Sequence, residues 1–274
     1  MFPVVTILSL NLFAPLFSAG ITTLVSAFFF AAVLTYKRRW HEVMYRPAWK
    51  DIIFATVYIG IIFYGLMFIG LRSTNAGNAA IIGLMETFFA WFLLGHVLRH
   101  ERVSPVQLFG GILMIIGAAS ILAPKASGWH IGDLVILTAT AFAPLGNRHA
   151  QFARKLVSSE TIMFWRSVIG GAFLLLIAFV FEPVPVLAEI NKSAFVIVFN
   201  GFLLLGLSKI LWIEGISRIT ITEATAWNSI TPLFTMIFAY FLLQEKITWL
   251  QIAGFVPIAI GVLFLTKSKT SSTV

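Results

Sequence analysis

A chain of 274 residues with 59% hydrophobic side chains, 11% charged ones and a mean hydropathy of +0.95 lies far from soluble globular composition, which carries about 25% charge. Its net charge of +8 comes from short basic clusters between apolar runs; this excludes a solvated basic face for nucleic acid and reads as membrane topology. The absence of cysteine excludes disulfides, thiolate catalysis and cysteine metal sites.

A hydrocarbon core about 30 Å thick needs roughly 20 apolar residues per helix. Runs of that kind, bounded by charge, Pro or Gly, predict helices at about 2–17, 20–36, 52–71, 77–98, 105–123, 131–149, 160–181, 194–214, 222–243 and 248–266. They are too long and too uniformly apolar for barrel strands, so the fold class is an all-α integral membrane protein of about ten transmembrane helices. At about 1.5 Å per residue the first run reaches only some 24 Å, and it reads as the later part of a truncated helix. With the loop from Lys37 to Lys50 placed in the cytoplasm, 13 of the 19 Lys and Arg residues fall on the cytoplasmic side. Arg72, Lys125, Lys192 and Lys246 fall on the other side, and Arg166 and Lys209 lie within spans. The carboxy terminus is then cytoplasmic.

Helix 5 opens with ERVSPVQLFGGILMIIG from Glu101, and helix 10 with EKITWLQIAGFVPIAIG from Glu245, at a constant offset of 144. Upstream, YGLMFIGLRSTNAGNAA from Tyr64 aligns at offset 145 with KILWIEGISRITITEAT from Lys209, so helices 3 to 5 match helices 8 to 10. An odd number of helices separates the copies, which inverts the second with respect to the membrane. The basic loop KRRWHEVMYRPAWK after helix 2 and its acidic counterpart EPVPVLAEINKS after helix 7 agree with inversion. Two five-helix repeats result, over residues 1–124 and 125–274. The glycines at seven-residue spacing are read as close helix packing, and Glu101 and Glu245 as solvated caps. FAPL at Phe13 and Phe142 is read as coincidence, because Pro15 lies just before Ser18, taken as the start of helix 2, while Pro144 lies far from Ser158.

Two inverted halves, each ending in Glu, a base, Ser or Thr, Gln and Gly, resemble the drug/metabolite transporter superfamily in its EamA-like branch. The second half carries the fuller motif, NSITPLFTMIFAYFLLQEKIT, and the first has GLMETFFAWFLL in the equivalent place. The resemblance implies a secondary transporter of a small organic metabolite, an amino acid or related solute, in a bacterial-type cytoplasmic membrane. It implies no enzyme activity, cofactor or metal; the partners are the solute, the lipid bilayer and protons as coupling ion, with the protein a monomer or homodimer. The family's arginine in helix 2 is missing; Ser26 or a neighbour stands there, and only Arg166 of helix 7 is present.

Inverted repeats place a site near the midplane, and ionisable residues within spans are functional hypotheses. Glu86 lies midway along helix 4 on a face shared with Ala79, Gly83 and Ala90, as substrate ligand and proton-coupling candidate or as a glutamate satisfied by a neighbouring helix. Lys209 either binds a carboxylate or pairs with Glu86. Arg166 can snorkel to the cytoplasm, and Glu214 with Arg218 is expected to form a surface pair. The family resemblance puts Asn147, Trp212, Trp227, Asn228 and Thr231 on cavity-lining helices, joined by Tyr64 from helix 3; Asn228 and Thr231 share a helix face with Thr235, a polar stripe unusual in lipid, and Trp227 can equally be an interfacial anchor. The alternatives are a facilitative or drug-type exporter of a hydrophobic or cationic solute, and a membrane-embedded lipid-modifying enzyme. Inverted topology has a direct check: a reporter fused after Arg46 reads cytoplasmic and one fused after Glu189 reads external, and identical sides would contradict it.

Overall fold

The computed structural model describes residues 1–11, 13–98, 104–122, 130–185 and 194–266. Among them run α1 Phe2–Leu10, α2 Pro15–Tyr36, α3 Arg46–Leu71, α4 Ala76–Val97, α5 Pro105–Leu122, α6 Ile131–Arg154, α7 Ser159–Phe181, α8 Ala194–Ile216, α9 Ile221–Leu243 and α10 Trp249–Thr266. Eight of these are long and apolar enough to cross a membrane. The other two are α1, which has nine residues, and α6, which carries Asp133, Asn147, Arg148, His149, Gln151 and Arg154.

The largest departure from expectation is at the start. The predicted first helix, 2–17, stops at Leu10, because Pro15 opens α2. Ala14 is extended at φ −62° and ψ 151°, and a proline in a first turn sacrifices no hydrogen bond. Pro15 and Pro144 are thus unlike for a second reason: Pro144 lies inside α6.

The repeated motif serves the helix ends. In α10, Thr248 N–H donates to Gln251 Oε1 at 2.9 Å while Gln251 N–H donates to Thr248 Oγ1 at 3.3 Å. In α5, Ser104 and Gln107 make the same reciprocal pair at 3.3 and 3.2 Å. Each is a capping box, which satisfies amide groups that hydrocarbon cannot. Glu245, expected to be solvated, instead accepts the Ala76 N–H of α4 with both oxygens at 3.1 Å; Glu101 lies outside the described residues.

Two further carboxylates do the same for α2 and α7. Glu182, after α7, accepts from Leu16 and Phe17 N–H at 2.9 and 2.8 Å. Glu42, after α2, accepts from Ser158 N–H at 2.6 Å and the Thr161 hydroxyl at 3.1 Å. Burial raises the Glu42 carboxyl, but the hydrogen bonds from Ser158 and Thr161 and the Arg39 charge more than offset it, leaving its pKa below the ordinary carboxylate value. The loop after each of these two helices thereby caps the other, with a negative charge at the positive end of the helix dipole. Buried Glu160 in the first turn of α7 adds Lys37 and Arg39, each at 3.2 Å.

The same pairs pack tightly and antiparallel. A Cβ on Gly110 would meet the Gly261 carbonyl oxygen at 2.8 Å, and one on Gly117 would meet that of Gly254 at 2.5 Å. Exchanging residues by the 144 offset turns the first contact into the second. In the other pair, Gly20 packs on Leu175 and Gly171 on Leu24, and Ser26 meets Ser167 at 2.8 Å. Wide helical turns at Thr56–Phe63 in α3 and Asn200–Leu207 in α8 also differ by 144. Gly117→Val should lower the melting temperature in detergent by several degrees, reflecting about 1–3 kcal/mol of overpacking against backbone. Gly215→Ala, where an added Cβ meets nothing within 4 Å, should be neutral or stabilising.

Candidate functional site

Glu86 sits halfway along α4, and its carboxylate is held by Asn147 of α6. Asn147 is 3% exposed; its Nδ2 donates to Glu86 Oε1 at 2.8 Å, and its Oδ1 accepts from Trp212 Nε1 of α8 at 3.0 Å. Indole nitrogen can only donate, so Trp212 fixes which way the Asn147 amide points. The donor end is thereby turned on Glu86. Lys209, half-buried, lies two turns before the end of α8 and about one turn ahead of Trp212. Among the described residues it forms no ion pair with Glu86 within 4 Å.

The structure brings together Glu86, Asn147, Trp212 and Lys209 from three helices. Tyr64 belongs to a neighbouring pair: its hydroxyl accepts from Arg166 Nη2 at 3.3 Å, and the guanidinium carbon lies 5.6 Å from the ring centroid. Arg166 is buried and does not snorkel; its guanidinium meets Tyr64 within the bundle. Trp227, Asn228 and Thr231 do not join the group. All three are exposed, Trp227 by 80%, while Thr235 of the expected polar stripe is buried. A short, tighter helical stretch at Asn228–Ile230, just ahead of Pro232, interrupts the register of that stripe.

One helical turn beyond this group lies a cavity of about 690 Å³, bounded by the ends of α4, α5, α6, α8, α9 and α10. Trp91 and Gln151 line it, five residues after Glu86 and four after Asn147. At about 1.5 Å per residue its floor lies about 6–8 Å from the buried group. None of the predicted site residues lines the cavity itself. Glu214 of its wall accepts from Arg154 Nε and Nη2 at 3.0 and 3.1 Å and from the Ser159 hydroxyl at 2.6 Å. The expected Glu214 to Arg218 ion pair does not form: Arg154 of α6 takes both Glu214 oxygens in a bidentate bond, and Arg218 acts on the carboxylate through its charge alone.

The opposite ends of α4 and α6 are closed by a buried polar cluster. Asp133 accepts from Asn78 Nδ2 at 2.9 Å and from the Thr74 hydroxyl. Gln251 Nε2 donates to Asn75 Oδ1 at 2.9 Å and Asn78 Oδ1 at 3.1 Å. Reading the sequence by hydropathy missed this cluster, since each member looks like a cap. The signal available was coincidence: three helices, α4, α6 and α10, all begin with amide or carboxylate groups on what the charge pattern makes one side.

The sequence profile of the EamA-like transporter family matches residues 1–123 and 130–267. Among similar proteins, the Bacillus subtilis "Uncharacterized transporter YoaV" is 21% identical over 92% of this chain and 87% of its own length. "Uncharacterized transporter YvbV" from the same organism is 24% identical over 93% of this chain and 84% of its own. A solved crystal structure superposes with a TM-score of 0.66 at 16% identity, covering 97% of this chain and 94% of that one, which shows the same fold.

Proposed function

The chain belongs to the EamA-like transporter family, an integral membrane transporter, and we propose that it moves a small zwitterion such as an amino acid by alternating access. The observation that carries this reading is the Glu86, Asn147 and Trp212 chain beneath a cavity at one end of the bundle, with Lys209 one turn ahead of Trp212 on α8. A carboxylate and an ammonium held apart offer both signs of charge. A bound amino acid would present its ammonium to Glu86 and its carboxylate to Lys209, with the Trp212 ring as an apolar wall.

Alternation is supported by the arrangement of the ends. The cavity lies where α4 and α6 finish, and the Asp133 cluster fills the space where they start. Inverted halves, here residues 1–124 and 125–274, allow an equivalent opening on the other side by rocking one against the other. The contacts that exchange under the 144 offset are those expected of such halves. Glu86 is also the group through which a proton would be coupled, since proton and solute ammonium compete for one carboxylate. In this reading the membrane is a bacterial-type cytoplasmic one, with the carboxy terminus on the cytoplasmic side.

Transport in proteoliposomes tests it. Lys209→Met should reduce uptake of the transported amino acid roughly 10–100-fold, the value of one charge-assisted hydrogen bond, while an uncharged analogue is less affected. Glu86→Gln should leave the protein folded and flatten the pH dependence of flux. Equal loss of both solutes in Lys209→Met would make that lysine structural, and unchanged pH dependence in Glu86→Gln would point to a facilitative carrier.

A further inference from the structure

Three cations, Arg148, Lys155 and Arg218, stand on the wall of the 690 Å³ cavity. Arg154 is taken by Glu214, and Glu223 is spent in the capping box of α9, accepting from Thr220 N–H and hydroxyl at 3.0 and 2.8 Å. Arg218 acts on Glu214 through its charge alone, which leaves Arg148 and Lys155 without a carboxylate among the described residues. Arg148 is half-buried within α6, with its guanidinium 5.5 Å from the Phe152 ring centroid, and the Lys155 ammonium lies 5.5 Å from the same centroid. None of the three forms an ion pair among the described residues.

Basic residues that serve topology alone need only lie in the loop, extended towards water. Arg148 departs from this: it is inside a helix, half-buried, and turned to the cavity. Arg148 and Lys155 thus put positive charge on a cavity whose own carboxylates, Glu214 and Glu223, are already engaged, and this calls for an anionic partner.

We infer that this cavity receives the anionic group, a carboxylate, of a small solute, with Arg148 and Lys155 supplying charge and Arg218 adding to it. The solute is thereby collected at the mouth before it passes inward to Lys209. The inference rests on the carrier reading for its purpose but not for its measurement. It also disfavours a cationic substrate, which this wall would repel.

The chain contains no cysteine, so a single Thr222→Cys on the cavity wall reports directly. The full-length protein is placed in phosphatidylcholine nanodiscs and labelled with an anionic sulfonatoethyl and a cationic trimethylammonium-ethyl methanethiosulfonate, each rate normalised to a free thiol. The anionic reagent should be favoured by about 10-fold or more, as expected of a focused positive field. Replacing Arg148, Lys155 and Arg218 with Gln should bring the ratio close to one, while an uncharged methanethiosulfonate labels at the original rate and shows the fold intact. Succinate should protect the thiol and succinamide should not.

A normalised ratio near one in the parent protein would overturn the proposal. So would a favoured anionic reagent without protection by succinate, which is a surface field only. Protection that appears only when phosphatidylglycerol is included would assign the site to a lipid headgroup and overturn the solute. Because labelling needs no flux, absence of amino-acid transport would count against the carrier reading and leave this result standing.

Discussion

Inside a bilayer no water is available to helix ends, so every amide the helices leave over must find a partner within the protein. That constraint organises this structure. Glu42, Glu182 and Glu245 each leave their own helix and bind the exposed N–H groups of another. Once they do, α2 is tied to α7, and α9 is tied to α4. Glycines then let α5 and α10 approach until backbone meets backbone. The exchange of equivalent contacts at a fixed offset is what two similar halves produce when each completes the other's ends.

The buried group at Glu86 depends on that frame. Asn147 can hold the carboxylate because α6, the most polar long helix, is packed against α3, α4 and α8, and because Trp212 takes the other face of its amide. Beyond it lies the cavity, and at the far ends of the same helices lies the Asp133 cluster. A carboxylate set between an accessible end and a closed end is the arrangement a carrier needs.

Much of this was legible in the sequence. Apolar length gave the helices, and the repeat of Glu, base, Ser or Thr, and Gln gave the two halves, because capping chemistry requires fixed spacing. Glu86 stood out because a charge at mid-helix is expensive in hydrocarbon. The break between α1 and α2 was expected after residue 17 and falls instead between Leu10 and Pro15, because hydropathy does not register a proline; only its fixed φ ends the run. Asn228, Thr231 and Thr235 read as one polar face with an ideal period, and the tighter stretch at Asn228–Ile230 breaks that period, leaving Asn228 and Thr231 exposed and Thr235 buried. Asp133 and the partnering of Glu214 with Arg154 depend on contacts between helices, which periodicity within one helix cannot report.

The central claim is that the two ends open in alternation. It can be tested by pulsed electron-spin distance measurement on the cysteine-free chain in nanodiscs, with spin labels at Arg72 and Lys246 across the closed end and, separately, at Leu156 and Ile219 beside the cavity; all four positions are exposed. Asp133→Ala removes the acceptor of Asn78 and Thr74 and so weakens the closed end. In that background the distance between positions 72 and 246 should lengthen while the distance between 156 and 219 shortens. Lengthening at both ends, or movement at one end alone, would contradict the account.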